Sequence, residues 1–224
     1  MPGLIPVEGK DGWFQDPVTK EIFDIATSRE DDKYDTVGLG TVGVAYAVPL
    51  GHELEFFRDV TSKFLIDTNF KTSRRIPKGE VMYLERVGLQ VLNAFGNITP
   101  EPSDIKKIAD SAYFKFQLSD HDISEGPAIK YPSGYGLAGN SVETDQGIVS
   151  IGTPATAAAA KLTEEQRIDG DTDVEGTLTF QRRTWAVTAG FVTTGAGTET
   201  PTLTDSCAIR CWLHGRIRAA STHN

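Results

Sequence analysis

The chain predicts an all-β fold, a jelly-roll barrel or sandwich of about eight strands with one or two short helices in its loops. Three observations lead there. Several segments alternate between apolar and polar side chains with period two, as half-buried strands do. Turn-forming residues separate them, with 22 glycines and 11 prolines in 224 residues. Strands and helices never alternate in the rhythm that builds a parallel sheet.

Residues 1–35 are rich in Pro, Gly and Asp and contain the acidic run "SREDDKYD". They are expected to form an N-terminal arm or irregular edge with a short strand over Lys20 to Ala26, leaving 36–224 as a single jelly-roll domain. The stretch "DTVGLGTVGVAYAVPLG" spaces Gly38, Gly40 and Gly43 as a dinucleotide-binding fingerprint does. That motif needs an apolar strand before its first glycine and a helix after its third. Here "DDKYDT" precedes and Pro49 ends any helix early, so the expected structure is a Gly-rich turn feeding a strand from Val42 to Val48.

"HELEFFRDV" is expected to open with a short helical turn, and "KFLIDTNF" to form a strand with Phe64, Ile66, Thr68 and Phe70 on one side. Pro77 and Gly79 suit the second and fourth positions of a type I turn. "EVMYLERVGLQVL" is the clearest strand, with Val81, Tyr83, Val87, Leu89 and Val91 on one face and Met82, Leu84 and Leu92 on the other. Both faces are apolar, which places it centrally. "EPSDIKKIADSA" carries a Ser103 or Asp104 cap and helical spacing, and "YFKFQLS" sends Phe114, Phe116 and Leu118 inward. Turn-forming residues dominate from His121 to Gln146, a length that marks either a functional loop or an interaction loop. "GIVSIG" reads as a short strand, "TPATAAAAKLTEEQRI" as a helix or crossover, and "TLTFQRRTWAVTAGFV" and "SCAIRCWLHGRIRAA" as the closing strands.

Candidate chemistry is sparse. His52, His121, His214 and His223 are scattered and form no close metal-binding pair, which weakens a metal-dependent jelly-roll enzyme. Asp169, Asp171 and Asp173 alternate as a calcium loop begins, but Val174 and Phe180 occupy the positions where a calcium hand requires Gly and Glu. A loose calcium site there stays open beside the reading of a solvated loop, and no other cofactor is expected. Cys207 and Cys211 on a strand stand about 13 Å apart, beyond the roughly 7 Å that a disulfide tolerates. They are expected as buried thiols, and the set Cys207, Cys211, His214 as no zinc site. No G-x-S-x-G elbow is present, so no enzyme is expected.

The formal charge of −9 argues against sequence-specific or general nucleic-acid binding by the whole surface. The opening residues lack a cationic region followed by an apolar one, so synthesis in a cytoplasm without export is expected. Against this acidic background, the last strand alternates in an unusual way. Cys207, Ile209, Cys211, Leu213 and Ile217 take one face, while Arg210, Trp212, His214, Arg216 and Arg218 take the other. The second set reads either as a solubilising face or as a contact surface, since Arg and Trp are enriched at interface hot spots. Acidic residues such as Asp31 and Asp32 on a neighbour would complement it. His121, Tyr131 and Tyr135, in the long loop, are further candidate contacts.

Two stretches carry a family resemblance. "FLIDTNFKTSRRIPKGEVMYLERVGLQV" resembles the early strands of single jelly-roll major capsid proteins of non-tailed icosahedral phages, and "LTDSCAIRCWLHGRIRAAS" resembles their terminal strand. The resemblance implies a structural virion protein made in the host cytoplasm and located in the virion. Its partners would be copies of itself, other capsid proteins and an internal lipid membrane. A carbohydrate- or receptor-binding β-sandwich from a spike is the alternative reading.

Overall fold

The computed structural model describes residues 5–15, 20, 22–24, 28–93, 102–133, 140–143, 147–150, 159–181 and 202–219. In chain order the strands are β1 (Ile5–Pro6), β2 (Trp13–Gln15), β3 (Ile22–Asp24), β4 (Ser28–Glu30), β5 (Lys33–Leu39), β6 (Tyr46–Ala47), β7 (Glu53–Phe56) and β8 (Glu80–Asn93). Helix α1 (Pro102–Ser111) follows, then β9 (Ala112–Leu118), β10 (His121–Pro127), a 3-10 turn (Ala128–Lys130), β11 (Asn140–Glu143), β12 (Gly147–Ser150), β13 (Ala160–Asp169), β14 (Val174–Phe180), β15 (Thr202–Leu203) and β16 (Cys207–Ala219).

Two sheets face each other across one core. The first runs β13-β8-β16 and continues to β4 and β5, both paired with β16; the second runs β10-β9-β14-β7. Folded as pairs, the chain gives β5 with β16, β7 with β14, β8 with β13 and β9 with β10, all antiparallel. Each strand of the chain's first half therefore meets its mirror partner from the second half. That nested pairing, with strand orders β5-β16-β8-β13 and β7-β14-β9-β10, is the jelly roll.

Alternation explains the second sheet. Ala112, Phe114, Phe116 and Leu118 of β9, with Val174, Leu178 and Phe180 of β14 and Leu54 and Phe56 of β7, are buried in the core cluster. The polar residues between them face water, as the period of two requires. Phe56 and Phe114 meet edge-on at 6.3 Å, and Phe114 meets Tyr131 at 5.0 Å.

In the first sheet the parity changes along β8. Its pairing with β16 shifts between His214 and Gly215, opposite Arg86 and Leu84, so Glu85 is an extra residue. Such a bulge moves the following side chains to the other face. Met82, Leu84, Val87, Leu89 and Val91 consequently share the core side. Uninterrupted alternation would put Met82 and Leu84 opposite Val87, which is the arrangement the sequence alone implies. Gly215 fits the bulge because a Cβ there would lie 2.1 Å from the Tyr83 carbonyl oxygen.

Several local expectations give way to tertiary pairing. Residues 28–35, expected in the arm, already belong to the sheet, since Ser28–Glu30 and Lys33–Leu39 pair with β16. Short strands β1, β2 and β3 pair with one another ahead of it. The expected helical turn at "HELEFF" is strand β7, because Leu54 and Phe56 point inward beside β14. The Ala-rich crossover becomes a strand where it is described, with Leu162 and Ile168 buried against β8. Residues 42–48 are a turn and the two-residue β6 rather than a full strand. At the Pro77 turn the Glu80 amide donates to the Pro77 carbonyl at 3.0 Å, and Gly79 has φ of 87°. Positive φ at the third position is the type II signature, so Pro77 stands first in the turn rather than second.

Helix α1 forms on the expected spacing, but it begins at Pro102, so Ser103 and Asp104 lie inside its first turn rather than at its cap. Asp104 in its first turn accepts from the Thr204 amide at 2.7 Å and from Lys107 at 2.8 Å. Ile108 enters the core, so one face of α1 closes an end of the sandwich.

Candidate functional site

The alternating set on β16 is the first place to look for a contact surface. Its odd-numbered residues from Cys207 to Leu213, and Ile217, do point into the core. The opposite face is not the open cationic stripe that the spacing implies. His214 and Arg218 are buried, and Arg210, Trp212 and Arg216 are half-buried.

Each has neighbours within the chain. The Arg210 guanidinium lies 4.9 Å from the Tyr34 ring centre and 5.3 Å from that of Trp212, and its Nε donates to Thr36 Oγ1 at 2.8 Å. Burial lowers the Arg210 pKa from its ordinary value, against the pull of Tyr34, Asp67 and Asp35. Trp212 Nε1 donates to Gln90 Oε1 at 2.9 Å, and its ring stacks on His214 with centres 6.1 Å apart. His214 Nδ1 stands 3.1 Å from Asp32, and Nε2 stands 2.9 Å from the Ser133 carbonyl oxygen. Arg216 pairs with Glu165 at 2.7 Å and with the bulge residue Glu85 at 3.5 Å. Arg218 lies 4.3 Å above the Tyr83 ring.

The acidic run expected to meet a neighbouring copy is thus used at home. Asp32 serves His214, and Asp31 stands 3.6 Å from Lys33. The segment through Ser133 crosses this face above Gly88, where a Cβ would lie 2.6 Å from the Ser133 Cα. A side chain at Gly88 would push that crossing strand of backbone away.

Other candidates divide. Tyr131 is a core residue, fully buried, with its hydroxyl 2.9 Å from Ser124 Oγ. His121 is exposed at the turn joining β9 and β10. Tyr135 lies outside the described residues. Where it is described, the stretch expected as one long loop is instead strand β10, the 3-10 turn and β11, because His121–Pro127 pairs with β9. Asp169 pairs with Arg167 at 2.8 Å and Asp173 with Arg75 at 3.0 Å, while Asp171 sits in the left-handed region of the turn between them. Cys207 and Cys211 face the core as free thiols, on the side of the sheet opposite His214. Burial pushes the Cys207 thiol up to about 12 and Cys211 well above its usual value.

Among the described residues, the most exposed apolar surface lies elsewhere, in a segment expected to be a strand with Phe64 and Ile66 on one side. Phe64, Leu65 and Ile66 are 77%, 81% and 71% exposed. They form the tip of a turn that leaves β7 and wraps the outer edge of β5. The Asn69 side chain and backbone bond to Asp32 and Tyr34, and Thr68 bridges Asp35. That lining satisfies an edge strand that would otherwise be open to pairing. The turn closes on itself, with the amides of Asp67 and Thr68 donating to the Phe64 carbonyl at 2.9 and 3.0 Å. Tyr34 Oη donates to the Leu65 carbonyl and Arg210 to that of Ile66. The signal in the sequence was three successive apolar residues, which breaks the alternation a half-buried strand requires.

A second apolar feature is concave. Between the ends of the two sheets, α1 and the 3-10 turn, an open pocket of ≈ 230 Å³ is lined by Leu89, Val91, Ile105, Ile108, Ala109, Ala128, Ile129, Tyr131, Pro132, Leu178 and Ile209. Ile129 at its rim is exposed. Among the described residues no group of three or more His, Cys, Asp or Glu is placed to hold a metal ion, and no helix is long and apolar enough to cross a membrane. Comparison with protein-family models, with curated proteins and with solved structures finds no match to this chain.

Proposed function

We propose that the protein is a structural virion protein, a major capsid protein whose copies associate into an icosahedral shell. The observation that carries this reading is the strand order, a single jelly roll whose two sheets enclose one core. Fold alone does not fix function, so the reading leans also on the surface. A rigidly held apolar tip and an open apolar pocket on one chain suit association by buried area rather than reaction chemistry. The resemblance of "FLIDTNFKTSRRIPKGEVMYLERVGLQV" and of the terminal strand to single jelly-roll capsid proteins points the same way.

In this reading contacts form at loops and edges, while the Arg210–Arg218 face mainly supports the chain's own packing. Size-exclusion chromatography with negative-stain imaging tests it. A shell protein elutes as large, concentration-dependent species with regular outlines. A stable monomer that binds an immobilised glycan would instead favour a carbohydrate-recognising module.

A further inference from the structure

The exposed tip and the open pocket are parts of one contact. We propose that the Phe64–Ile66 tip of one copy docks on the next and seats the Leu65 side chain in the pocket bounded by Leu89, Ile105, Ala109, Ile129 and Pro132. The inference rests on the shell reading and assigns the residues through which neighbouring copies meet.

Three features of the chain argue for it. Apolar residues on a mobile loop would fold back to hide themselves, but here the turn is fixed. Its backbone carbonyls are held by Tyr34 and Arg210, and Lys63 beside it is tied to buried Asp35 at 2.8 Å. Such pre-organisation lowers the ordering cost of binding. The pocket has the matching size and chemistry. At ≈ 230 Å³ it exceeds the roughly 150 Å³ of an apolar cavity that holds a benzene ring, so a phenylalanine or leucine side chain fits. Finally, the two features occupy different parts of the molecule. The tip sits against the outer edge of β5, whereas the pocket opens between α1 and the ends of β8, β14 and β16. A contact that joins unlike surfaces of identical chains is head-to-tail, and it closes into rings when the rotation between copies permits. Rings of this kind are the building blocks a shell needs.

The test uses full-length chain and two variants at exposed positions, Leu65→Asp on the tip and Ile129→Asp at the pocket rim. Circular dichroism and thermal melting check that each folds as the wild type does. Sedimentation velocity is expected to show assemblies for wild type and at least tenfold weaker association for each variant. Mixed in equal amounts, the variants should form a one-to-one dimer and nothing larger, since together they supply one intact tip and one intact pocket. Assembly of either folded variant at wild-type strength overturns the inference and leaves the shell reading standing. So does flotation of wild type with phosphatidylcholine vesicles that Leu65→Asp abolishes while assembly persists, which would make the tip a lipid contact. Wild type that stays monomeric at every concentration removes both readings.

Discussion

The carboxylate of Asp35, with no exposed surface, lies 2.8 and 3.0 Å from the ammonium of Lys63 and accepts the Phe57 amide at 2.7 Å. This pair, with Asp35 buried and Lys63 half-buried, ties the turn after β7 to the edge of β5. Removing Lys63 strands the Asp35 charge away from water, which costs about 3–5 kcal/mol. Asp35→Ala and Lys63→Met should each lower unfolding free energy by about 3 kcal/mol in urea titrations. The double variant should lose clearly less than the sum, because the second change removes the charge the first left stranded.

Trp212 is a packing residue. Its ring meets Tyr34 at 4.8 Å in a tilted contact and stacks on His214. Trp212→Ala should therefore destabilise the isolated monomer by about 2 kcal/mol, somewhat below the cost of deleting a fully buried aromatic. Thermal melts at concentrations too low for association check this. An unchanged melting temperature with impaired assembly would return Trp212 to the interface.

Both cysteines should be inert in the native state. A thiol attacks only as thiolate, and burial holds Cys207 up to about 12 and Cys211 well above its ordinary value of 9.0. Ellman's reagent at pH 8 should react with neither thiol until denaturant is added, and then with both. Folding favours the protonated thiols, so their contribution is fully present below the unfolded value of 9.0. It fades as pH rises from there through about 12. Urea midpoints measured at pH 8 and pH 10 should fall at the higher pH, and less so in Cys207→Ser.

Asp205 fastens the glycine-rich turn. Its carboxylate accepts the amides of Ser206 at 2.6 Å and Gly43 at 2.7 Å, and these bonds hold its pKa below the ordinary value of 3.8. A depressed carboxylate stabilises above its unfolded value and loses that contribution as pH falls through the folded one. Hydrogen exchange at the Gly43 amide should be slow at neutral pH in wild type and fast in Asp205→Ala. Equal protection in the two proteins would show that the bond does not hold the turn.

Much of the architecture was legible because it depends on short-range alternation. Strands β8, β9, β14 and β16 have side chains sorted by period two, and the helical spacing of α1 survives in the structure although its start lies before the expected cap. What alternation could not reveal was parity across the bulge at Glu85, because the extra residue is defined by the pairing of β8 with β16. Nor could it separate a strand from a turn at Phe64–Ile66. There the decision belongs to Asp35, Tyr34 and Arg210, which are distant in sequence and fix the turn from outside. The exposure of the polar face of β16 is hidden from the sequence for a related reason. Its periodicity was right, but what covers it includes Ser133 and Asp32, brought there by other elements. The site residues were the least legible part, since exposure depends on the whole fold.

Sedimentation velocity of the purified full-length chain, followed from low to high micromolar concentration with negative-stain images of the largest species, bears most directly on the whole account. Concentration-dependent growth to closed particles or rings many times the 24.3 kDa chain is the expected result. A single monomeric boundary across that range, with no particles on the grid, would contradict it.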